Sequence, residues 1–202
     1  MGLGFDAVAR SHDHARTVGV AGRVDRVVGG WLERVAGAGP GRAIDVGGGA
    51  GHDALVLAER GWAVDLVDVS PVMVELARER LASFPDVRCH VGDAVSWLAA
   101  EHDPVDLVLA LGETLCYLPD SAAAVAEVAR SVREGGALLL TYLDAKGLGA
   151  DAPPAVQERD DPPLWIRAFG RDWLAREVER AGLQVVEEWR HGGRRSALRA
   201  LR

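Results

Sequence analysis

The residues best suited to chemistry form one run, Asp45-Val46-Gly47-Gly48-Gly49-Ala50-Gly51, at the end of a short apolar segment. Glycines let a backbone approach a ligand closely and adopt angles that side chains disfavour. A helix predicted to begin directly after the run would offer its unpaired N–H groups to a negative group. The Asp45 carboxylate can accept from a donor such as an ammonium. The run therefore predicts a site for a ligand that carries both a carboxylate and an amine.

The glycine pattern alone leaves alternatives open. The stretch Gly49-Ala50-Gly51-His52-Asp53-Ala54 also matches G-x-G-x-x-A, a dinucleotide-binding pattern that expects an acid about 20 residues further on. Turns from a strand through glycine into a helix also occur in α/β proteins that bind no nucleotide. The other strand ends must therefore distinguish these possibilities.

Acidic side chains follow three further predicted strands. Asp68 ends the second strand, Asp93 follows the third and Glu113 follows the fourth. Ligands of open parallel sheets bind outside the carboxyl ends of the strands, so these acids would share an edge with Asp45. Asp68 can receive two hydrogen bonds from vicinal hydroxyls, with Val69 beside a flat base, and Asp93 can accept from an exocyclic amine. Each acid could instead cap a helix or a turn, but together they favour a polar ligand.

The elements that must position these residues alternate between strand and helix. Predicted strands cover 43–46, 62–67, 87–90, 105–111 and 136–143, and predicted helices cover 20–36, 53–60, 71–83, 94–100 and 121–133. After a segment rich in Pro, Asp and Gly, we expect a helix at 171–181 and an antiparallel hairpin with strands at 184–190 and 196–201. This alternation predicts an α/β fold, a single doubly wound Rossmann-like domain with helices on both faces of a mostly parallel sheet.

Four motifs together resemble those of class I S-adenosylmethionine-dependent methyltransferases, in the branch that acts on small molecules. They are D-V-G-G-G-A-G at 45–51, V-D-V-S-P-x-M at 67–73, G-D-A at 92–94 and D-L-V-L-A-L-G at 106–112. The resemblance implies a seven-stranded sheet whose last strand is antiparallel, the cofactor S-adenosylmethionine and the product S-adenosylhomocysteine. The implied function is transfer of a methyl group to O or N of a small-molecule acceptor in secondary metabolism.

The resemblance also implies a contact for each matched position. Asp45 and the turn that contains Gly47, Gly48, Gly49 and Gly51 would hold the methionine end of the cofactor. Asp68 would bind the ribose hydroxyls. The remaining residues would surround the base and the methionine chain: Val69 and Met73 beside the base, Asp93 and Ala94 at the adenine edge, and Leu111 facing the methionine part.

Two residues are candidates for a catalytic role. Methyl transfer from a sulfonium needs an in-line nucleophile, close approach and exclusion of water. A general base is needed only if the acceptor is protonated at the working pH. Glu113 follows the fourth strand, where the methyl group should project, and His191 lies in the turn of the terminal hairpin. Glu113 could equally cap its loop, and His191 could equally be a surface group.

The chain also departs from the family pattern near its start. Many members carry F-D-x-x-A-x-x-Y-D there, whereas residues 5–13 read F-D-A-V-A-R-S-H-D, so His12 stands in the place of the Tyr. We expect residues 1–40 to form a helical cap over a single domain of residues 1–202. Residues 144–170 should form an irregular insertion on the acceptor side, in which Trp165 and Phe169 either line a pocket or join the core.

The composition restricts the kinds of partner that we expect for this chain. The chain has 202 residues, of which 23 are basic and 30 acidic, with a net charge of −7. This charge repels phosphate backbones, so no nucleic-acid partner is expected. No apolar run approaches the length of a membrane span, and Cys89 and Cys116 lack neighbours of the kind that bind metals. We expect a cytoplasmic monomer or homodimer, without a metal, that acts on a small uncharged or cationic acceptor.

Two other functions stay open from the sequence. An NAD(P)-dependent oxidoreductase would use the same fold, although the position of Asp45 within the strand end and the lack of a substrate domain disfavour it. A protein that holds S-adenosylmethionine without transferring methyl groups would carry the same motifs. Binding measurements and an acceptor assay distinguish these functions from a methyltransferase.

Overall fold

Strands and helices alternate along the part of the chain that the computed structural model describes. That part comprises residues 6, 9, 23–37, 39–100, 102–145, 155–160, 163–170, 172–190 and 195–202, without the side chains of 23–25 and 155–165. The helices are α1 (Arg23–Ala36), α2 (His52–Ala58), α3 (Pro71–Arg80), α4 (Ala94–Ala99), α5 (Thr114–Tyr117), α6 (Ser121–Arg130) and α7 (Trp173–Arg180). The strands are β1 (Arg42–Val46), β2 (Ala63–Asp68), β3 (Val87–Val91), β4 (Val105–Ala110), β5 (Val132–Leu143), β6 (Ala155–Asp160), β7 (Pro163–Ala168), β8 (Gln184–Arg190) and β9 (Arg195–Leu201).

Seven of these strands form one sheet in the order β3-β2-β1-β4-β5-β9-β8. β1 pairs in parallel with β2 and with β4, whereas β9 pairs antiparallel with both β5 and β8. Six strands therefore run in one direction and β9, the last in the chain, runs against them. This confirms the predicted fold. The chain moves outward from β1 to β3 and then returns to β4, which makes the boundary between β1 and β4 the topological switch point of the sheet.

Helices cover both faces of the sheet, as expected for parallel strands buried on both sides. Ile44 and Val46 of β1 contact the core beneath α4, α6 and α7, whereas Ala43 contacts the core beneath α1, α2 and α3. Leu107 and Val108 of β4 divide between the two cores in the same way. Both cores end at the carboxyl edge of the sheet, where the predicted site residues lie.

Side-chain caps set the start of two helices at that edge. Ser70 Oγ accepts from Met73 N–H, and Pro71 occupies the first helical position of α3. Asp93 Oδ1 accepts from Ser96 N–H at 2.8 Å at the start of α4. Each cap stops its strand and starts its helix within a few residues, so Asp68 and Asp93 are held close to the strands that they follow.

Several expected boundaries were wrong. Residues 144–170 are not irregular throughout, because β6 and β7 pair antiparallel from Ala155↔Ala168 to Asp160↔Pro163. α6 ends at Arg130 instead of residue 133, and β5 begins at Val132 instead of residue 136, with a register shift opposite Val105. The four-residue helix α5 was not predicted at all. Of the expected cap at residues 1–40, His12 lies outside the described residues.

No described helix is long and apolar enough to cross a lipid bilayer.

Candidate functional site

The glycine turn after β1 is bound tightly to the end of β2. Gly47 N–H and Gly48 N–H both donate to Val67 O, at 2.8 Å and 3.3 Å. Gly49 follows with a φ of +54°, in the left-handed region that glycine tolerates best. A Cβ at Gly48 would lie 2.7 Å from Asp45 Cγ, closer than real side-chain contacts allow. The turn therefore has to be glycine on its inner side, and it presents backbone on its outer side.

Asp68 joins three elements at this edge. Its Oδ2 accepts from Gly49 N–H at 2.9 Å, and its Oδ1 accepts from Ser70 N–H at 2.8 Å. The carboxylate thereby connects the glycine turn, the end of β2 and the start of α3. An ionised carboxylate has about four acceptor positions, so two amide bonds are compatible with additional hydroxyl ligands. Asp68 is thus anchored at this edge, and its binding of a diol stays a prediction.

Asp45 lies beneath the glycine turn rather than beside it. It is 1% exposed, and its carboxylate is in the space behind Gly48. A buried carboxylate needs donors, but the amides of Gly47, Gly48 and Gly49 donate to Val67 O and Asp68 instead. Met73 packs with Ala50 on the opposite side of the turn. The structure therefore brings Asp45, the turn and Met73 together, as the sequence predicted.

Two residues near the start of the chain also reach this site, and the sequence had not singled them out. Ser70 Oγ donates to Asp6 Oδ1 while it accepts from Met73 N–H. Ala9 is fully buried and packs against Ala50 and Met73. Asp6 and Ala9 are the D and the A of the F-D-x-x-A pattern. The match to these two positions of the pattern was a sequence signal that could have identified both residues.

The remaining predicted cofactor residues lie along the same edge. Asp93 caps α4 and accepts from both the N–H and the Oγ–H of Ser96, each at 2.8 Å. Ala94 and Leu111 are buried, and Val69 is partly buried. The capping role that the sequence left open for Asp93 is therefore present. Its contact with an adenine amine stays a prediction.

Glu113 is held on the far side of the switch point by contacts with two other strands. Its backbone has a φ of +60°, and its N–H donates to Thr141 Oγ1 on β5 at 3.0 Å. Arg195 Nε on β9 donates to Glu113 Oε1 at 2.8 Å. Next to it, Thr114 contacts the turn at Gly47. Glu113 thus connects the loop after β4 to β5 and β9 as one member of an ion pair, and its role as a base stays a prediction.

A second polar network lies beyond β5 and connects that strand to β8 and to the start of α7. Tyr142 Oη donates to Glu188 Oε1 at 2.7 Å, and Arg190 binds both Glu188 at 2.6 Å and Asp172 at 2.5 Å. Burial, together with the hydrogen bond to Glu188, raises the pKa of the Tyr142 phenol well above its usual range. The network ties β5, β8 and the start of α7 together. Tyr142 therefore stays protonated as a structural donor.

The aromatic group near residue 170 belongs to the core. Phe169 is fully buried and stacks on Trp173, with ring centroids 5.2 Å apart and an angle of 12° between the planes. The sequence left open whether Phe169 lines a pocket or joins the core. The structure places it in the core. His191 and the Trp165 side chain lie outside the described residues, so their predicted positions are not addressed.

Comparisons with known proteins agree with this geometry. A family model described as a methyltransferase domain matches residues 43–136. A ubiquinone biosynthesis O-methyltransferase from Aromatoleum aromaticum is 30% identical over 166 residues, which cover 78% of this chain and 70% of the relative. A tRNA 5-carboxymethoxyuridine methyltransferase from Escherichia coli is 33% identical over 113 residues, which cover 53% of this chain and 42% of the relative. The chain thus spans less than half the length of that second relative.

A solved structure resembles the whole fold. The 1,6-didemethyltoxoflavin-N1-methyltransferase of Burkholderia thailandensis, which contains bound S-adenosylhomocysteine, superposes with a TM-score of 0.71 at 22% identity. The match covers 98% of this chain and 86% of that one. At this identity the likeness concerns the fold.

Proposed function

The chain belongs to the class I S-adenosylmethionine-dependent methyltransferases, and we propose that it transfers a methyl group from S-adenosylmethionine to O or N of a small-molecule acceptor. The observation that carries the proposal is the Asp68 carboxylate, whose two oxygens are held by Gly49 N–H and Ser70 N–H at the end of β2. This geometry suits the two adjacent hydroxyls of a ribose. The site lies beside the switch point, where ligands of such sheets bind.

The residues at this edge fit the cofactor. The partly buried backbone of Gly47–Gly49, above the buried Asp45, suits an amino-acid group. Met73 and Val69 offer apolar surface to a base, and Asp93 offers an acceptor to its amine. When bound, S-adenosylmethionine supplies an electrophilic methyl group on a positively charged sulfur. The tasks of the chain are then to bind, to orient and to exclude water, which need no acid–base residue.

The charge of the chain supports a small acceptor. Although one relative is named as a tRNA methyltransferase, a net charge of −7 repels a phosphate backbone. The O- and N-methyltransferases among the similar proteins leave both acceptor atoms open. We include in the proposal a cytoplasmic monomer or homodimer.

Titration calorimetry tests the cofactor assignment. We expect the protein to bind S-adenosylhomocysteine and to show no heat of binding with NADH under the same conditions. Binding of NADH alone would reject the methyltransferase proposal in favour of an oxidoreductase.

An acceptor screen tests whether the methyl group is transferred. Incubation with S-adenosylmethionine and a set of phenols, amines and carboxylates should release S-adenosylhomocysteine with at least one acceptor. Release with none of them, despite cofactor binding, would favour a protein that holds the cofactor without transferring its methyl group.

A further inference from the structure

Strand β5 extends beyond its neighbour at the carboxyl edge of the sheet. β4 ends at Ala110, which pairs with Leu140, whereas β5 continues to Leu143 and is followed by Asp144. At about 3.3 Å per residue, the four residues after Leu140 extend about 13 Å past the end of β4. This overhang lies across β4 from the glycine turn. It therefore borders the side of the site that the cofactor-binding residues leave for an acceptor.

The backbone around Asp144 is fixed by β7. Phe169 N–H donates to Leu143 O at 2.9 Å, and Ala145 N–H donates to Phe169 O at 2.8 Å. Asp144 thus forms a parallel bridge with Phe169, whose ring is fully buried against Trp173. A residue held in this way presents its side chain from a rigid support, which is what a binding group requires.

The charged groups described nearest to it, at the ends of β4 and β8 and the start of β9, are bound to one another. Glu113 pairs with Arg195 at 2.8 Å, and Arg190 pairs with Asp172 at 2.5 Å and with Glu188 at 2.6 Å.

Asp144 differs from these groups. It is half-buried, and its carboxylate makes no hydrogen bond or ion pair with the residues that the structure describes. A partly desolvated carboxylate without a donor is costly, so this position favours a ligand that donates.

We propose that Asp144 binds the nitrogen of the methyl acceptor and that the acceptor is therefore an amine. This inference rests on the proposed function. The nitrogen lone pair forms a bond to the methyl carbon while the carbon–sulfur bond breaks and its electrons remain on sulfur. The positive charge moves from sulfur to nitrogen, where the Asp144 carboxylate stabilises it as it develops. The methylated ammonium then releases one proton to water.

Sinefungin provides a direct probe, because a carbon bearing an ammonium replaces the S–CH3 group of the cofactor. It places a positive charge at the position of the transferred methyl group, next to the acceptor nitrogen on which the charge develops. We expect the wild-type protein to bind sinefungin about tenfold more tightly than S-adenosylhomocysteine, which corresponds to about 1.4 kcal/mol. In Asp144→Asn this ratio should fall to about one, while the Kd for S-adenosylhomocysteine changes by less than about twofold.

Two further variants make the test specific. Asp144→Glu keeps the charge and should retain most of the preference for sinefungin. Asp103→Asn removes an equal charge from a side chain that is 93% exposed, at the opposite edge of the sheet before β4, and should leave the ratio unchanged. Thermal unfolding of each variant checks that the fold is retained.

An unchanged ratio in Asp144→Asn would overturn the inference, and so would an equal loss of preference in Asp103→Asn. Either result would leave the proposed function intact, since S-adenosylhomocysteine would still bind. If neither ligand binds the wild-type protein, the proposed function itself fails and the inference fails with it.

Discussion

Asp68 shapes the backbone at the position where we propose that the cofactor binds. Its two oxygens hold the amides of Gly49 and Ser70, so the site exists before any cofactor arrives. A ligand that meets a preformed site loses less conformational entropy on binding. Asp68 should therefore contribute more to affinity than the proposed hydrogen bonds to a ribose would alone.

We predict that Asp68→Ala weakens binding of S-adenosylhomocysteine by about 1–3 kcal/mol, the usual cost of losing a charged hydrogen-bond partner. Titration calorimetry measures the change directly. Asp103→Ala, at a side chain that is 93% exposed, is the matched control and should bind like the wild type. An unchanged affinity in Asp68→Ala would remove this residue from the site.

Glu113 has an unfavourable backbone conformation and makes two favourable contacts. A φ of +60° costs a residue with a Cβ roughly 1–2 kcal/mol. The bond from its N–H to Thr141 and the pair with Arg195 offset that cost. Strain retained beside a binding site is commonly related to function. Here the left-handed conformation of Glu113 directs the loop after β4 toward β5 and β9.

This strain is measurable by comparing two substitutions at the same position. Glu113→Gly and Glu113→Ala both remove the ion pair, but glycine tolerates the left-handed conformation. We expect Glu113→Gly to have a free energy of unfolding about 1 kcal/mol higher than that of Glu113→Ala in urea denaturation. At the exposed helical position Ala126, glycine should instead be less stable than alanine by about 1 kcal/mol. Equal stability of the two Glu113 variants would contradict the left-handed assignment.

At the scale of elements, the strand ends were predictable and their long-range partners were not. Apolar runs ending in Asp45, Asp68 and Asp93 located β1, β2 and the start of α4, because local pattern and capping chemistry agree there. The hairpin of β6 and β7 was missed, since its charged residues show no clear alternation. The pair of Glu113 and Arg195 joins residues 82 positions apart, which no local pattern can indicate.

The residue that caps the start of α3 also holds Asp6, near the beginning of the chain. Ser70 is fully buried, caps α3 through Met73 N–H and donates its own proton to Asp6. Removing the cap should therefore have two consequences. The helix loses a hydrogen bond, and Asp6 loses its donor.

We predict that Ser70→Ala lowers the free energy of unfolding by about 1 kcal/mol or more, as for other lost caps. Asp6→Ala should also destabilise the protein, and the double variant should lose less than the sum of the two. A double-mutant cycle in urea should give a coupling of about 0.5–3 kcal/mol. Strict additivity would mean that the contact between Asp6 and Ser70 contributes no stability of its own.

At the scale of the whole molecule, one loop connects the two halves of the sheet. Residues 111–114 contact the glycine turn through Thr114, β5 through Thr141 and β9 through Arg195. The helix that follows places Cys116 in the core, where Leu143 N–H donates to its Sγ at 3.3 Å. The helix after this loop is thus joined to the end of β5 through a buried thiol, and the charge state of that thiol matters for the stability of the whole fold.

Burial raises the pKa of Cys116 to about 12, although the Leu143 N–H acts in the opposite direction. An unfolded thiol ionises near pH 8.5, so the unfolded state releases its proton first as the pH rises. The stability contributed by the protonated thiol is complete below about pH 8.5 and is lost as the pH approaches 12. Between these values, the contribution should fall by about 1.4 kcal/mol per pH unit.

Urea denaturation from pH 8 to 10.5 should therefore show the stability advantage of the wild type over Cys116→Ala shrinking by that slope. Tyr142 titrates in both proteins and cancels from the difference. A constant difference across this range would show that the thiol is accessible to water in the folded protein.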